Sequence, residues 1–376
     1  MLSTTTSASG LSAARRALLL LGLAAAASSC DSDLACSLNG VCGADRQCAC
    51  DTPWAGADCS QLPFKVTPAS GRSLYDNASD PRNTWNGPIA GPGPDGKLHI
   101  FVPVYPPGNL GGPTSIKHGL ADAPTGPWDW VSLPDLPQNV TGINPAFVSF
   151  TDPGSGATVH SLWVGGRVLT SASLYGPFVP VPGFSYPGGN PAPIFFNGSF
   201  YLTNQPTTQI WTTPRLAPGG EWTVFANISH DALPPADVQY HVEDPFLWID
   251  RRGCWHIIGH AYSNVQWQNC SVSDVSEHFF SADGRTWLFS RQPYGHTVHY
   301  DDGTSHTFVT LERPNLHFDA QGELTHINLA ADLVTGNEGC GTRPDHAHNG
   351  HCPCDNACTS THLPTLPFHT HTELSP

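Results

Sequence analysis

Two adjacent carboxylates, Glu243 and Asp244, stand before a proline in HVEDPFLWIDRRGCWHIIGH, the stretch from His241 to His260. Paired acids beside histidines are the equipment of general acid–base chemistry. Hydrolysis of a glycosidic bond needs two carboxyl groups across it, about 6.5–9.5 Å apart for inversion and about 5 Å for retention. Glu312, followed by Arg313 and Pro314, supplies a third acid. Glu243, Asp244 and Glu312 are therefore the candidate catalytic residues. Neighbours on a regular strand point to opposite faces, so at most one of Glu243 and Asp244 is expected to face a shared pocket. Glu243 is the expected acid, set among Phe246, Trp248 and Trp255, with Glu312, Asp244 or Asp80 as its partner. The alternatives are as concrete. Glu243 and Asp244 equally suit a role in organising the strand, and Glu312 beside Arg313 suits a buried ion pair. His241, His260 and His278 offer the donors of a metal or proton-relay site. Each alone is more commonly a hydrogen-bonded core residue, and no metal or cofactor is expected.

The elements that would carry these residues are short strands. From about Phe64 to Leu333, apolar runs are punctuated by Gly, Pro, Asn and Asp, without a long helical period. HVEDPFLWIDRRGCWHIIGH itself reads as a hairpin turning at Gly253. Five loosely similar units follow one another, starting near Trp85, Ile143, Gly189, His241 and His306. Each opens with an X-Pro step into an apolar strand and crosses a Gly or Asp-Gly turn. Units of roughly 40–65 residues made of short strands predict propeller blades. Blade openings converge on a central channel, which would be lined by Asn86, Asn144, Asn190, Glu243, Asp244, Glu312 and Arg313. Asn86, Asn144, Asn190, His241, His260, Arg313 and Trp85 are the candidate substrate-binding residues, Trp85 as a flat ring for a sugar face. Trp248 and Trp267 offer similar rings.

Asn190-Pro191, Glu243-Asp244-Pro245, the DGRTW from Asp283 to Trp287 and LERPNLHFDAQGELTHI from Leu311 to Ile327 together resemble the five-bladed propellers of glycoside hydrolase families 43, 62, 32 and 68. More closely, the chain is similar to secreted algal and protist proteins that join an epidermal-growth-factor-like module to such a propeller. The resemblance covers about 270 residues. It implies an all-β five-bladed propeller at 64–335 and a polysaccharide or glycan as partner. It also implies an acid near the start of the first blade, one in a second blade and a glutamate in a third, whereas here Asn86 or Asn83 stands at the first place and Asn144 and Asn190 occupy the next two openings. That departure supports a second reading, a non-catalytic adhesion or sugar-binding protein.

The chain's ends suggest where it works. Arg15-Arg16 and an apolar run from Ala17 to about Ala27 form a signal-peptide pattern over 1–29, predicting a secreted, extracellular protein. Later apolar runs fall short of the about 18 residues of a membrane span. The 12 cysteines then predict disulfides, and N-x-S/T sequons at Asn77, Asn139, Asn197, Asn227 and Asn269 agree with export. CACDTPWAGADC, Cys48 to Cys59, resembles the C-terminal half of an epidermal-growth-factor-like module. The likeness places that module at 30–60 and implies pairs Cys30–Cys42, Cys36–Cys48 and Cys50–Cys59. Ser28-Ser29 stand where calcium-binding members carry acids, so no calcium is expected. Such modules make protein contacts, which adds an extracellular protein as a possible partner. Cys254 and Cys270 are expected to pair with each other. The tail at 336–376 holds four cysteines and several histidines, suited to two disulfides or to zinc, and its last dozen residues read as disordered. A charge of −15, from 16 basic and 31 acidic residues, excludes an electrostatic nucleic-acid binder.

Overall fold

The computed structural model describes residues 29–66, 83–84, 86–105, 115–131, 142, 144–205, 207–228, 240–263, 276–300, 302–307, 310–332, 361–362 and 365–367. The expected signal segment, Asp80, Trp85, Trp267, Cys270 and the cysteines of the tail lie outside them.

A domain of about thirty residues cannot bury enough apolar surface to fold unaided, and its six cysteines staple it. Cys30 bonds Cys42, Cys36 bonds Cys48 and Cys50 bonds Cys59, the three pairs that the resemblance implied. One 3-10 turn, Asp33–Cys36, precedes an antiparallel pair, β1 (Gly40–Cys42) and β2 (Cys48–Cys50). At Gly40 a Cβ would lie 2.5 Å from the Ala49 carbonyl oxygen and 2.8 Å from Cys59 Sγ, so no larger residue fits. The chain then enters β3 (Lys65–Val66).

Five antiparallel sheets follow in chain order. The first holds β4 (Asn83–Thr84) and β5 (Ile89–Ala90), both against β6 (Leu98–Tyr105), then β7 (Ser115–Ala121) and β8 (Asp129–Val131). The second is β9 (Ala146–Thr151), β10 (Thr158–Val164), β11 (Arg167–Ser171) and β12 (Val179–Ser185). The third is β13 (Gly189–Phe196), β14 (Ser199–Gln205), β15 (Gln209–Thr213) and β16 (Thr223–Asn227). The fourth is β17 (Tyr240–Ile249), β18 (Trp255–Ser263), β19 (Glu277–Ser281) and β20 (Leu288–Arg291). Next, β21 (Thr297–Tyr300) pairs with β22 (Ser305–Thr307) and, in parallel, with β3. The fifth sheet joins β23 (Thr310–Phe318) to β24 (Leu324–Asp332), with β25 (Thr361–His362) and β26 (Thr365–Pro367) on its outer side. The last blade thus takes strands from beyond residue 335, including residues that the sequence reads as a disordered end.

The sheets close into a ring because each contact between neighbours has its own apolar core. Phe101 and Ile116 of the first sheet pack with Leu162 and Leu169 of the second. Trp163 joins Phe200 and Leu202, and Ile210 joins Trp255 and Ile257. Trp248 and Ile258 join Leu316 and Ile327 together with Trp54 of the disulfide module, and Ala330 returns to Ile100 and Val102 of the first sheet. Two hydrogen bonds lock the closure, from Asn86 Nδ2 to the carbonyls of Arg313 and Asn328, each at 2.7 Å.

The disulfide module is anchored on the β17–β18 hairpin. Arg252 donates to the Gly40 carbonyl at 2.9 Å and to that of Leu38, and pairs with Asp51 at 2.8 Å. Cys254, in the same hairpin, is a free thiol, and Cys270, its expected partner, lies outside the described residues.

Candidate active site on the propeller axis

The X-Pro openings share an unusual backbone. Asn144, Asn190, Asp244 and Arg313 have φ of 61°, 48°, 50° and 52°, and each precedes a proline on an innermost strand. Left-handed backbone is costly for side chains other than those of Gly, Asn and Asp, and proline disfavours helical backbone in the residue before it. Three of the four positions hold the tolerant types. The strand registers slip at the same points, between Gly189 and Ala192, Glu243 and Phe246, and Glu312 and Asn315.

The bulges interrupt the regular alternation of the strand at Glu243 and Asp244. Each acid meets a side chain of another blade, Asp244 that of Asn144 and Glu243 that of Gln205. Asp244 is 5% exposed and accepts a hydrogen bond from Asn144 Nδ2 at 2.6 Å. Burial raises its pKa and the Arg313 guanidinium opposes the rise. Arg313 thus acts on the acid of the next blade. Glu243 lies opposite His260 in the β17–β18 register. Its Oε1 is 4.0 Å from His260 Nδ1, and Glu312 Oε1 is 3.9 Å from His260 Nε2. The carboxylates of two blades flank one imidazole, which places them within roughly 10 Å of each other, in reach of the spacing of an inverting pair. Their side chains are 23% and 12% exposed, against 7% for His260. Burial, reinforced by His296, pushes the His260 pKa down to about 3, so the ring is neutral at pH 7.

An amide relay reaches Glu243 from the third blade. Asn190 Nδ2 donates to Gln205 Oε1 at 2.8 Å, and Gln205 Nε2 donates to Glu243 Oε2. Gln205 went unnoticed in the sequence because it ends a strand instead of opening one; its register partner, Gly189 beside Asn190, was the available signal. Tyr294 was missed as well. Buried at 3% exposure, its hydroxyl has its pKa raised well above the usual phenol range, first by burial and then by the charges of Glu312 and Asp244.

Asn86 is fully buried, and its amide nitrogen serves the ring closure, so the expectation of substrate contact gives way to a structural clamp. His241 sits in β17 opposite Tyr262, and its side chain is outside the described residues, as is the whole of Trp85. His278 is not with His260; its Nε2 lies 3.0 Å from His256 Nδ1, in a buried stack with Trp248 and Trp54. Cys30, Cys36 and Cys48 come within metal-ligand range of one another, and all three sulfurs are in disulfides.

No family model matches the chain, and no curated protein does. Among solved structures, a thermostable family-43 glycoside hydrolase is similar over 77% of this chain and 91% of its own, at 11% identity and a TM-score of 0.47. The endo-arabinase of Bacteroides thetaiotaomicron VPI-5482 is similar over 82% and 98%, at 10% identity and 0.45. The exo-beta-1,3-galactanase of Phanerochaete chrysosporium, solved with galactose, is similar over 81% and 64%, at 9% identity and 0.45. At that distance the likeness carries no argument about chemistry, which rests on the side chains.

Proposed function

We propose that the protein is a secreted carbohydrate-active propeller that binds a polysaccharide at the axial mouth and hydrolyses it with Glu243 and Glu312 as the acid–base pair. The observation that carries this reading is that two partly exposed carboxylates from different blades flank one neutral, buried imidazole. Glu243, oriented by Gln205, is the proton donor to the leaving oxygen. Glu312 is the base that activates water on the opposite face of the sugar. His260 separates the two charges without adding one. The three stapled pairs and the exposed sequon Asn197 at the β13–β14 turn support export. In the same reading the disulfide module is epidermal-growth-factor-like and contacts a protein.

The purified protein is expected to release reducing ends from at least one member of a panel of arabinan, xylan, galactan and glucan. Glu243→Gln and Glu312→Gln should each lower that rate by about a thousandfold with circular dichroism unchanged. Full activity in either variant removes that residue from the pair. A second reading is favoured by Asn144 and Asn190 at two axial openings, where amides cannot exchange protons: a glycan-binding protein without hydrolysis. Saturable polysaccharide binding without release of reducing ends would select it.

A further inference from the structure

Past the bulges, the innermost strands run on to their hairpin ends and enclose a second axial recess of about 440 Å³. Its walls are Phe147 on β9, Ile194 and Phe196 on β13, Phe246 on β17 and Phe318 on β23. All five are partly exposed. Asp244 and Arg313, each 5% exposed, line its inner end beside the amides of Asn190 and Asn315. Glu243 and Glu312 precede the bulge, so they stand on its other side and this recess is not their site.

The volume falls in the small-molecule range of about 300–1,000 Å³, and the chemistry of the lining narrows the class. A sugar carries hydroxyls around its whole edge, and rings and aliphatic walls would leave most of them without partners. Aromatic rings pack well on such walls. The opposite charges of Asp244 and Arg313 offset each other, and Asp250, the third charged residue of the lining, is paired with Arg252, which favours a neutral hydrogen-bonding group over an ion.

We propose that this recess is a binding site for a small neutral aromatic molecule with one hydrogen-bonding end, its rings among Phe147, Ile194, Phe196, Phe246 and Phe318 and its polar end at Asn190, Asp244 and Asn315. The site is independent of the glycan reading, and loss of one leaves the other standing. The test is a fluorescence titration of the full protein with N-phenyl-1-naphthylamine, a neutral two-ring amine. Saturable binding is expected, with a Kd on the order of 10 µM, reversed by 2-naphthol and not by glucose. Val148→Trp and Ile194→Trp, which fill the recess from two different blades, should each weaken it by about tenfold or more. Glu243→Gln/Glu312→Gln should bind like the parent. No saturable binding by the parent, displacement by glucose, or parental affinity in a folded filling variant would overturn the proposal. Should either tryptophan variant fail to fold, the other decides.

Discussion

Asp244 occupies a position whose backbone restricts the choice of residue before any chemistry does. At φ 50° ahead of a proline, Asn and Asp are the side chains that cost least, and the chain uses Asn at two equivalent openings. Asp therefore brings a charge that the backbone did not require, and the fold sets Arg313 beside it and Asn144 upon it. Asp244→Asn keeps the backbone preference but leaves the guanidinium beside a neutral amide. Losing one partner of a buried charge pair costs about 3 kcal/mol, so urea unfolding should shift by roughly that amount. A change within about 0.5 kcal/mol would show that Asp244 and Arg313 are not energetically coupled. The sequence already exposed the carboxylates and the X-Pro steps, because residue types are explicit there. It hid the left-handed backbone at each step.

Among the elements, the innermost strands do most of the positioning, and their bulges divide the axis into an acid end and an apolar end. The five units were legible as strand–turn–strand repeats, since Gly and Asp-Gly turns and alternating apolar residues are local signals. The slips in register were not, because a slip depends on the neighbouring strand. Asn86 belongs to this scale too, as it ties the first blade to two carbonyls of the last. Asn86→Ala leaves both buried carbonyls without these donors, at about 1–3 kcal/mol each. A fall in stability of roughly 3 kcal/mol is expected by denaturant titration. An unchanged midpoint would mean that the apolar cores alone close the ring.

The whole molecule carries a set of histidines buried in neutral form. His118 is fully buried and its pKa is pushed down from 6.5 to about 4 by burial and then by His99; His326 falls likewise to about 4, by burial and then His317. Folded values below the unfolded one mean that the unfolded chain binds more protons as the medium acidifies. Stability from these rings is fully present above pH 6.5 and is lost as pH falls towards about 4. A shift of that size is worth roughly 3 kcal/mol for a fully buried ring. Thermal unfolding should therefore move to clearly lower temperature between pH 7 and 4.5. A melting temperature flat across that range would contradict the burial of neutral rings.

The pairing of Glu243 with Glu312 across His260 is tested most directly by the configuration of the first product. The two distances to His260 bound their separation at roughly 10 Å, room for the wider arrangement of about 6.5–9.5 Å that inversion uses. Proton NMR during the first minutes of polysaccharide cleavage should show the new reducing end in the anomeric form opposite to that of the bond cut. Initial formation of the retained anomer, or a parent protein that releases no reducing end from any glycan in the panel, would contradict the account.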